Sequence, residues 1–487
     1  MSDISAPPAP RRGVKIFLFG QILSSVAAFL RFSILARLLG PEQLGLVAIL
    51  VLTSQFFDSV TNAGMDRFLI QDADGDDPKA QRLVHLASIG RGILTALALF
   101  LIAPWLAAYF GQQALAHGFR ILALAPLIQG FMHYDVRRFQ REQNYAAEGW
   151  LSFGDVLSLI IVSAAAIIIG DFTAIAYGLI ARSIGYVLIS HWKAERPYEI
   201  GLAEEYNASL ARFGFPLLFN GLLLFATMQG DRMLVATRLS VVELGHYSVV
   251  LLLIYYPISI IQRFFEGMYL PLIAGARLDP REQARQTNLM IGELLICMAI
   301  MLTGFILFAP FMIPLMFGAD FYQPLPLIVL VGVMQVTRLA RSWLTTISLA
   351  NGKSRQVLAN NLIRLLIFPM AIAGQHIWGG MSGLIGGLII GDLLALAISA
   401  FIVAENGARE AWHNIVRILH FALIGLAFII FAFTFSSGRT IDALLALLVA
   451  AMLLAALGIR EKKALESIFA FVRARVDRLL ARTGPRR

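Results

Sequence analysis

Long apolar runs recur along almost the whole chain, separated by short polar breaks. A helix needs about 20 mostly apolar residues to cross a bilayer's hydrocarbon core, and only helices or closed barrels satisfy their backbone there. Runs of this kind cover 14–39, 43–65, 83–110, 117–137, 147–169 and 172–192. They resume at 209–238, 242–268, 287–317, 322–349, 356–377 and 381–403, and a last pair covers 415–435 and 440–459. The pattern predicts an all-α polytopic membrane protein with about fourteen transmembrane helices. Two polar stretches, KAERPYEIGLAEEYN and ENGAREAWHN, punctuate the series. The expected organisation is a tail (1–13), an N-lobe of six helices (14–193), a linker (194–208), a C-lobe of six helices (209–404), a helix pair (405–459) and a basic tail (460–487).

Composition supports this and removes other classes. Of 487 residues, 58% are hydrophobic and 15% charged, where soluble domains carry about 25% charged residues. Soluble enzymes, disordered scaffolds and disulfide-stapled secreted domains are excluded. The single cysteine, Cys297, lies in an apolar run and reads as a small core hydrophobe. The net charge of +9 raises the question of nucleic acid, but the basic residues sit in the breaks between runs, where the positive-inside rule accounts for them. Breaks on one side carry Arg11, Arg12, Arg137, Arg138, Arg141, Lys193, Arg196, Arg277, Arg281, Lys353 and Arg355, while GPEQ, IGDFTA, LSVVE, FGADFYQ and IWGGMS on the other carry none, Arg120 and Arg439 being the exceptions there. The asymmetry places both termini in the cytoplasm. The N-terminus resembles the charged region of a signal peptide, but the run after it is long and contains Arg31, so a retained first helix is expected. After Arg460 the periodicity predicts an amphipathic helix on the cytoplasmic membrane face.

The chain repeats itself at a spacing of about 200 residues. RFSILARLLGPEQLGLVAIL, from Arg31, matches RMLVATRLSVVELGHYSVVL, from Arg232: Arg31 falls on Arg232, Arg37 on Arg238, Glu42 on Glu243 and, with one gap, Gly45 on Gly245. Pro104 falls on Pro310 further along. Shared hydrophobicity does not place Arg, Glu, Gly and Pro at matching offsets. Both halves begin by leaving the cytoplasm, so they are parallel repeats related by an axis along the membrane normal. Two such lobes suit alternating access.

The segment LARLLGPEQLGLVAILVLTSQFFDSVTNAGMDRFLIQ (35–71) resembles the N-terminal signature of polysaccharide transporter, or Wzx-type, flippases of the multidrug/oligosaccharidyl-lipid/polysaccharide exporter (MOP) superfamily. The turn around Gly40, Pro41, Glu42 and Gly45 is its sharpest element. The resemblance implies a MATE-like fold and the transport of polyprenyl-diphosphate-linked oligosaccharide across the bacterial inner membrane, from the cytoplasmic to the periplasmic leaflet. Exopolysaccharide, capsule or O-antigen would be assembled outside, with a polymerase and export machinery as further partners. Two other readings stay open. A multidrug or toxin extruder of the same superfamily would share the fold, and would favour an acidic cavity. A membrane polysaccharide polymerase or ligase would place catalytic Arg and His in a long periplasmic loop, and every such loop here is short.

Charges at membrane depth are costly and usually face an interior cavity. Arg31 and Arg232 lie about six residues, roughly 9–10 Å, from the outer ends of their helices. As guanidinium groups they suit a diphosphate. The competing reading has Asp231 or another carboxylate neutralising Arg232 while Arg31 snorkels outward. Arg338 and Arg341 share a helix face, and Arg364 lies on the next helix. These could line a hydrophilic route, or form buried pairs such as Arg364 with Asp392. Asp58, in the inner half, is the candidate for binding a coupling proton or Na⁺. Gly383, Gly387 and Gly391 read as a packing stripe.

Other chemistry fails on inspection. GKS (352–354) lacks the second glycine of a P-loop, Ile347 standing in its place. DADGDD (72–77) lacks the EF-hand glycine and glutamate, and reads as a solvated loop. No His pair has metal-ligand spacing, no hydrolase motif occurs, and no cofactor, metal or nucleic-acid partner is expected.

Overall fold

The computed structural model describes residues 13–61, 64–72, 74–404, 408–470 and 473. The first half runs through α1 (Val14–Thr61), α2 (Met65–Gln71), α3 (Pro78–Tyr109), α4 (Leu115–Leu122), α5 (Leu124–Gln129), α6 (Asp135–Arg141), α7 (Ala146–Leu151), α8 (Phe153–Ile169) and α9 (Ala174–Lys193). The second half holds α10 (Glu204–Arg238), α11 (Val241–Gly275), α12 (Pro280–Phe317), α13 (Leu325–Ala340), α14 (Ser342–Ala350), α15 (Ser354–Ile363), α16 (Ile367–Trp378) and α17 (Gly380–Val403). α18 (Ala408–Ser436) and α19 (Thr440–Arg460) complete it. Among the described residues, 12 helical stretches are long and apolar enough to span a membrane. The first of these has 48 residues, about twice what a bilayer requires. It bends at Gly40, whose φ of 76° and ψ of 178° suit glycine alone, with Pro41 next. α1 is therefore two spanning segments, and the shorter apolar stretch Leu115–Gln129 stands where the fourth was expected.

Local chemistry sets the breaks. Asp77 caps α3 through the N–H of Lys79, and Pro78 occupies its first turn. α8 ends at Gly170 in the left-handed region, a C′ glycine. Before α11, Ser240 and Glu243 form a reciprocal capping box: the Ser240 N–H donates to Glu243 (2.9 Å) and the Glu243 N–H to Ser240 Oγ (3.1 Å). Glu243 is the residue the repeat pairs with Glu42.

The chain divides into two compact units, one built of residues up to Val249 with Met316–Phe321, the other of Val250–Leu315 with the chain from Tyr322 onward. In the first, the repeat-related turns meet directly: a Cβ on Gly45 would lie 2.0 Å from the Val241 carbonyl oxygen, and one on Gly245 2.1 Å from that of Pro41. In the second, α16 and α17 pack backbone to backbone. A Cβ on Gly383, Gly387 or Gly391 would meet Gly374 O at 2.5 Å, Met370 O at 2.1 Å or Ile367 Cα at 2.7 Å. The glycine stripe thus packs on the helix preceding it. α18 and α19 are tied down in the same unit by Arg417, whose guanidinium grips Glu461 with two bonds (2.9 and 2.6 Å) and reaches Asn288 Oδ1 on α12 (3.1 Å). The expected amphipathic tail is helical to residue 470, and apart from residue 473 the remainder lies outside the described residues.

Candidate functional site

In the first unit, polar side chains gather where α1, α8 and α9 pack. Asp155, at the start of α8, is buried. Arg182 of α9 approaches it at 2.9 Å. One turn on, the Tyr186 hydroxyl donates to Asp155 (3.0 Å) and accepts from Arg182 Nη2 (2.9 Å). Ser24 of α1 donates to the same carboxylate. Beside them is a cavity of about 20 Å³, lined in part by Asp58, Gln129, Arg182 and Tyr186, large enough for an ordered water. Asp58 itself is exposed.

Arg31 is buried, and its Nη1 donates to Ser158 Oγ of α8 (2.9 Å). Asp231, 1% exposed, accepts from the Tyr247 hydroxyl (2.5 Å). Arg232 donates to Gln229 one turn back on its own helix (3.0 Å). The two arginines matched by the repeat thus have different surroundings: one lies against another helix and the other reaches its own.

The second unit brings together Arg338, Arg341 and Arg364. Asp392 of α17, with 0% exposure, takes Arg338 at 3.2 Å and Arg364 at 3.6 Å. Arg364 lies in a 3-10 turn between α15 and α16. Arg341 sits at the junction of α13 and α14, is 8% exposed and donates to the Asn360 carbonyl (2.8 Å). Among the described residues its Nη1 has no hydrogen-bond partner, nor has either end of the Asn360 amide. Arginine does not deprotonate in proteins, so the three guanidinium groups are a permanent source of positive potential, and Asp392 is the carboxylate that Arg338 and Arg364 share.

Asp155 and Arg364 stand on the same helix of each repeat, as do Arg182 and Asp392. The fold keeps the ion pair in both halves but reverses its polarity.

Three contacts were missed from sequence. His85, His133 and His191 are far apart in the chain yet their rings pack around Tyr198, at centroid distances of 4.4, 5.4 and 4.7 Å. His85 bonds to the Glu199 carbonyl (2.8 Å) and accepts from the Tyr134 N–H (3.1 Å). His133 bonds to the Arg196 carbonyl (3.0 Å) and accepts from the Asp135 N–H (3.1 Å). Burial, with Tyr134 adding to it, pushes the Tyr198 phenol up to about 12. Within the expected 194–208 linker, Arg196, Tyr198 and Glu199 are fastened to the first unit by these contacts. The acidic 72–77 loop joins that fastening: Asp76 binds Arg196 (2.9 Å), and Asp77 accepts from Tyr206 (2.8 Å) as well as capping α3. The Lys79 N–H and the Tyr206 hydroxyl hold the Asp77 carboxyl below its ordinary value. The loop is therefore a tether rather than a freely solvated segment. His133→Ala is expected to speed proteolytic cleavage within 194–203 severalfold in the purified protein, since a bond to the linker and the ring packing on Tyr198 are both lost; an unchanged cleavage rate would show that the histidines do not hold it.

The helical architecture shares its fold with solved membrane transporters of the MOP superfamily. It superposes on an inward-facing MATE-family multidrug resistance transporter with a TM-score of 0.63 and 14% identity, covering 84% of this chain and 99% of that one. For the lipid II flippase MurJ in an inward closed conformation, the TM-score is 0.62 with 12% identity over 93% and 100% of the two chains. A family model described as "Polysaccharide biosynthesis protein" matches residues 34–326, and the chain belongs to that family. Among curated proteins, the succinoglycan biosynthesis transport protein ExoT of Rhizobium meliloti (strain 1021) is 23% identical over 265 residues. The match spans 53% of this chain and about half, 52%, of ExoT.

Proposed function

We propose that the protein is a flippase that moves polyprenyl-diphosphate-linked oligosaccharide from the cytoplasmic to the periplasmic leaflet of the bacterial inner membrane by alternating access, with both termini cytoplasmic and no catalytic step of its own. The gathering of Arg338, Arg341 and Arg364 around the shared carboxylate of Asp392 carries the reading. Fixed guanidinium groups at membrane depth favour an anionic head group such as a diphosphate. Arg31, Arg232 and Asp231 of the first unit are proposed as further substrate-binding residues, and Asp58, at its small polar cavity, to carry the coupling ion. A cationic drug would be repelled by the arginine cluster, which disfavours the extruder reading.

Complementation tests this. In a strain lacking the gene, surface polysaccharide is expected to disappear while lipid-linked precursor accumulates on the cytoplasmic side. Arg341→Ala, expressed at wild-type levels, is expected to restore less than about a tenth of the polysaccharide, because a charge-assisted contact contributes about 1.5–3 kcal/mol. Unaltered polysaccharide with altered drug sensitivity would establish the extruder instead, and precursor accumulating on the periplasmic side would establish a polymerase or ligase.

A further inference from the structure

A polar pocket of about 410 Å³ opens in the first unit between the end of α1, α2 and α10. Its volume falls in the range of small-ligand sites. Asp58, Asp66, Arg67 and Asn220 line it together with Leu217 and Leu224. One oxygen of Asp66 is taken by Arg137 (3.0 Å). Among the described residues, the side chains of Asp58, Arg67 and Asn220 make no hydrogen bond to the protein. α10 seats tightly on α1 at this point, for a Cβ on Gly221 would lie 2.0 Å from the Ser59 carbonyl oxygen. One wall of the pocket is thus backbone packed on backbone.

The chemistry of these groups differs from that of the arginine cluster. Two carboxylates, one guanidinium and one carboxamide give closely spaced acceptors and donors with no excess of positive charge. Hydroxyl groups, which both donate and accept, match such a set. The two leucines offer an apolar patch of the kind that covers the C–H face of a sugar ring. A diphosphate would meet Asp58 and Asp66 unfavourably.

We infer that this pocket is a sugar subsite, recognising a hexose-class unit of the glycan through its hydroxyls, with Arg67 and Asn220 as the specificity-determining contacts. The inference rests on the lipid-linked oligosaccharide reading above. It also separates the labour within the protein: the pocket reads the glycan and the arginines hold the charge.

The test uses full-length protein in lipid nanodiscs and two probes, lipid-linked oligosaccharide extracted from cells lacking the gene and glycan-free polyprenyl diphosphate. Arg67→Ala and Asn220→Ala are each expected to weaken binding of the glycan-bearing lipid by about tenfold, the equivalent of about 1.4 kcal/mol. Binding of the bare diphosphate lipid and the melting temperature are expected to stay at wild-type values. Equal weakening for both probes, or none for either, overturns the sugar subsite while leaving the flippase reading intact. Failure of the wild type to bind the glycan-bearing lipid overturns both.

Discussion

Asp392→Asn is expected to be among the most damaging single substitutions in the protein. Asp392 has 0% exposure and is approached by Arg338 and Arg364, with Arg341 close enough to feel its charge. The amide keeps the shape and removes the charge, so guanidinium groups are left in a low-dielectric interior without the carboxylate they share. Breaking a buried pair by removing one partner costs about 3–5 kcal/mol, whereas removing both partners can be nearly neutral. The variant should therefore give little monodisperse protein on size-exclusion chromatography, with a markedly lower melting temperature. Adding Arg364→Met should recover part of the loss, and that non-additivity is the signature of a shared charge. An Asp392→Asn protein that melts with the wild type would show that the carboxylate does not hold the cluster.

The second large effect is expected at Gly45. A valine there would drive its Cβ to about the 2.0 Å that separates an ideal Cβ from the Val241 carbonyl oxygen. The obstacle is backbone, so no side-chain rotation relieves it. Overpacking typically costs about 1–3 kcal/mol, and more where backbone must shift. Gly45→Val should lower both the melting temperature and polysaccharide restored in complementation. Because Gly245 faces Pro41 in the same contact, Gly245→Val should reproduce the defect, and the double variant should be less harmful than the two effects added. Independent, additive losses would mean that the two turns do not form one contact.

Most of the helical framework was legible because a bilayer admits few solutions. The expected run 147–169 appears as α7 and α8, 209–238 lies within α10, and 381–403 corresponds to α17. Where boundaries differ, local backbone chemistry decided them. The first two runs form one continuous helix bent at Gly40, and the fourth is broken between α4 and α5. The glycine stripe at Gly383, Gly387 and Gly391 was equally readable as a packing face, although only the structure identifies α16 as what packs there.

The candidate site was legible in part. Intramembrane Arg and Asp stand out by their cost, and the pairing of Arg364 with Asp392 was one of two readings that the sequence left open. The His85, His133 and His191 set was invisible, since its members come from different segments and share no spacing. The same holds for Arg67 and Asn220, ordinary polar residues near helix ends until α1, α2 and α10 place them around one pocket.

What the sequence determined by itself was therefore the membrane class, the number and spacing of spans, the duplication and the identity of the costly charges. Hydrophobicity and periodicity are properties of consecutive residues, and the exclusion of unpaired polar groups from lipid makes them decisive. Only the tertiary structure decided which charge meets which: that Asp155 takes Arg182, that Asp392 is shared, and that the pair changes polarity between repeats. Electrostatic partnership depends on distances of a few ångströms between side chains of separate helices, and no local pattern encodes that distance.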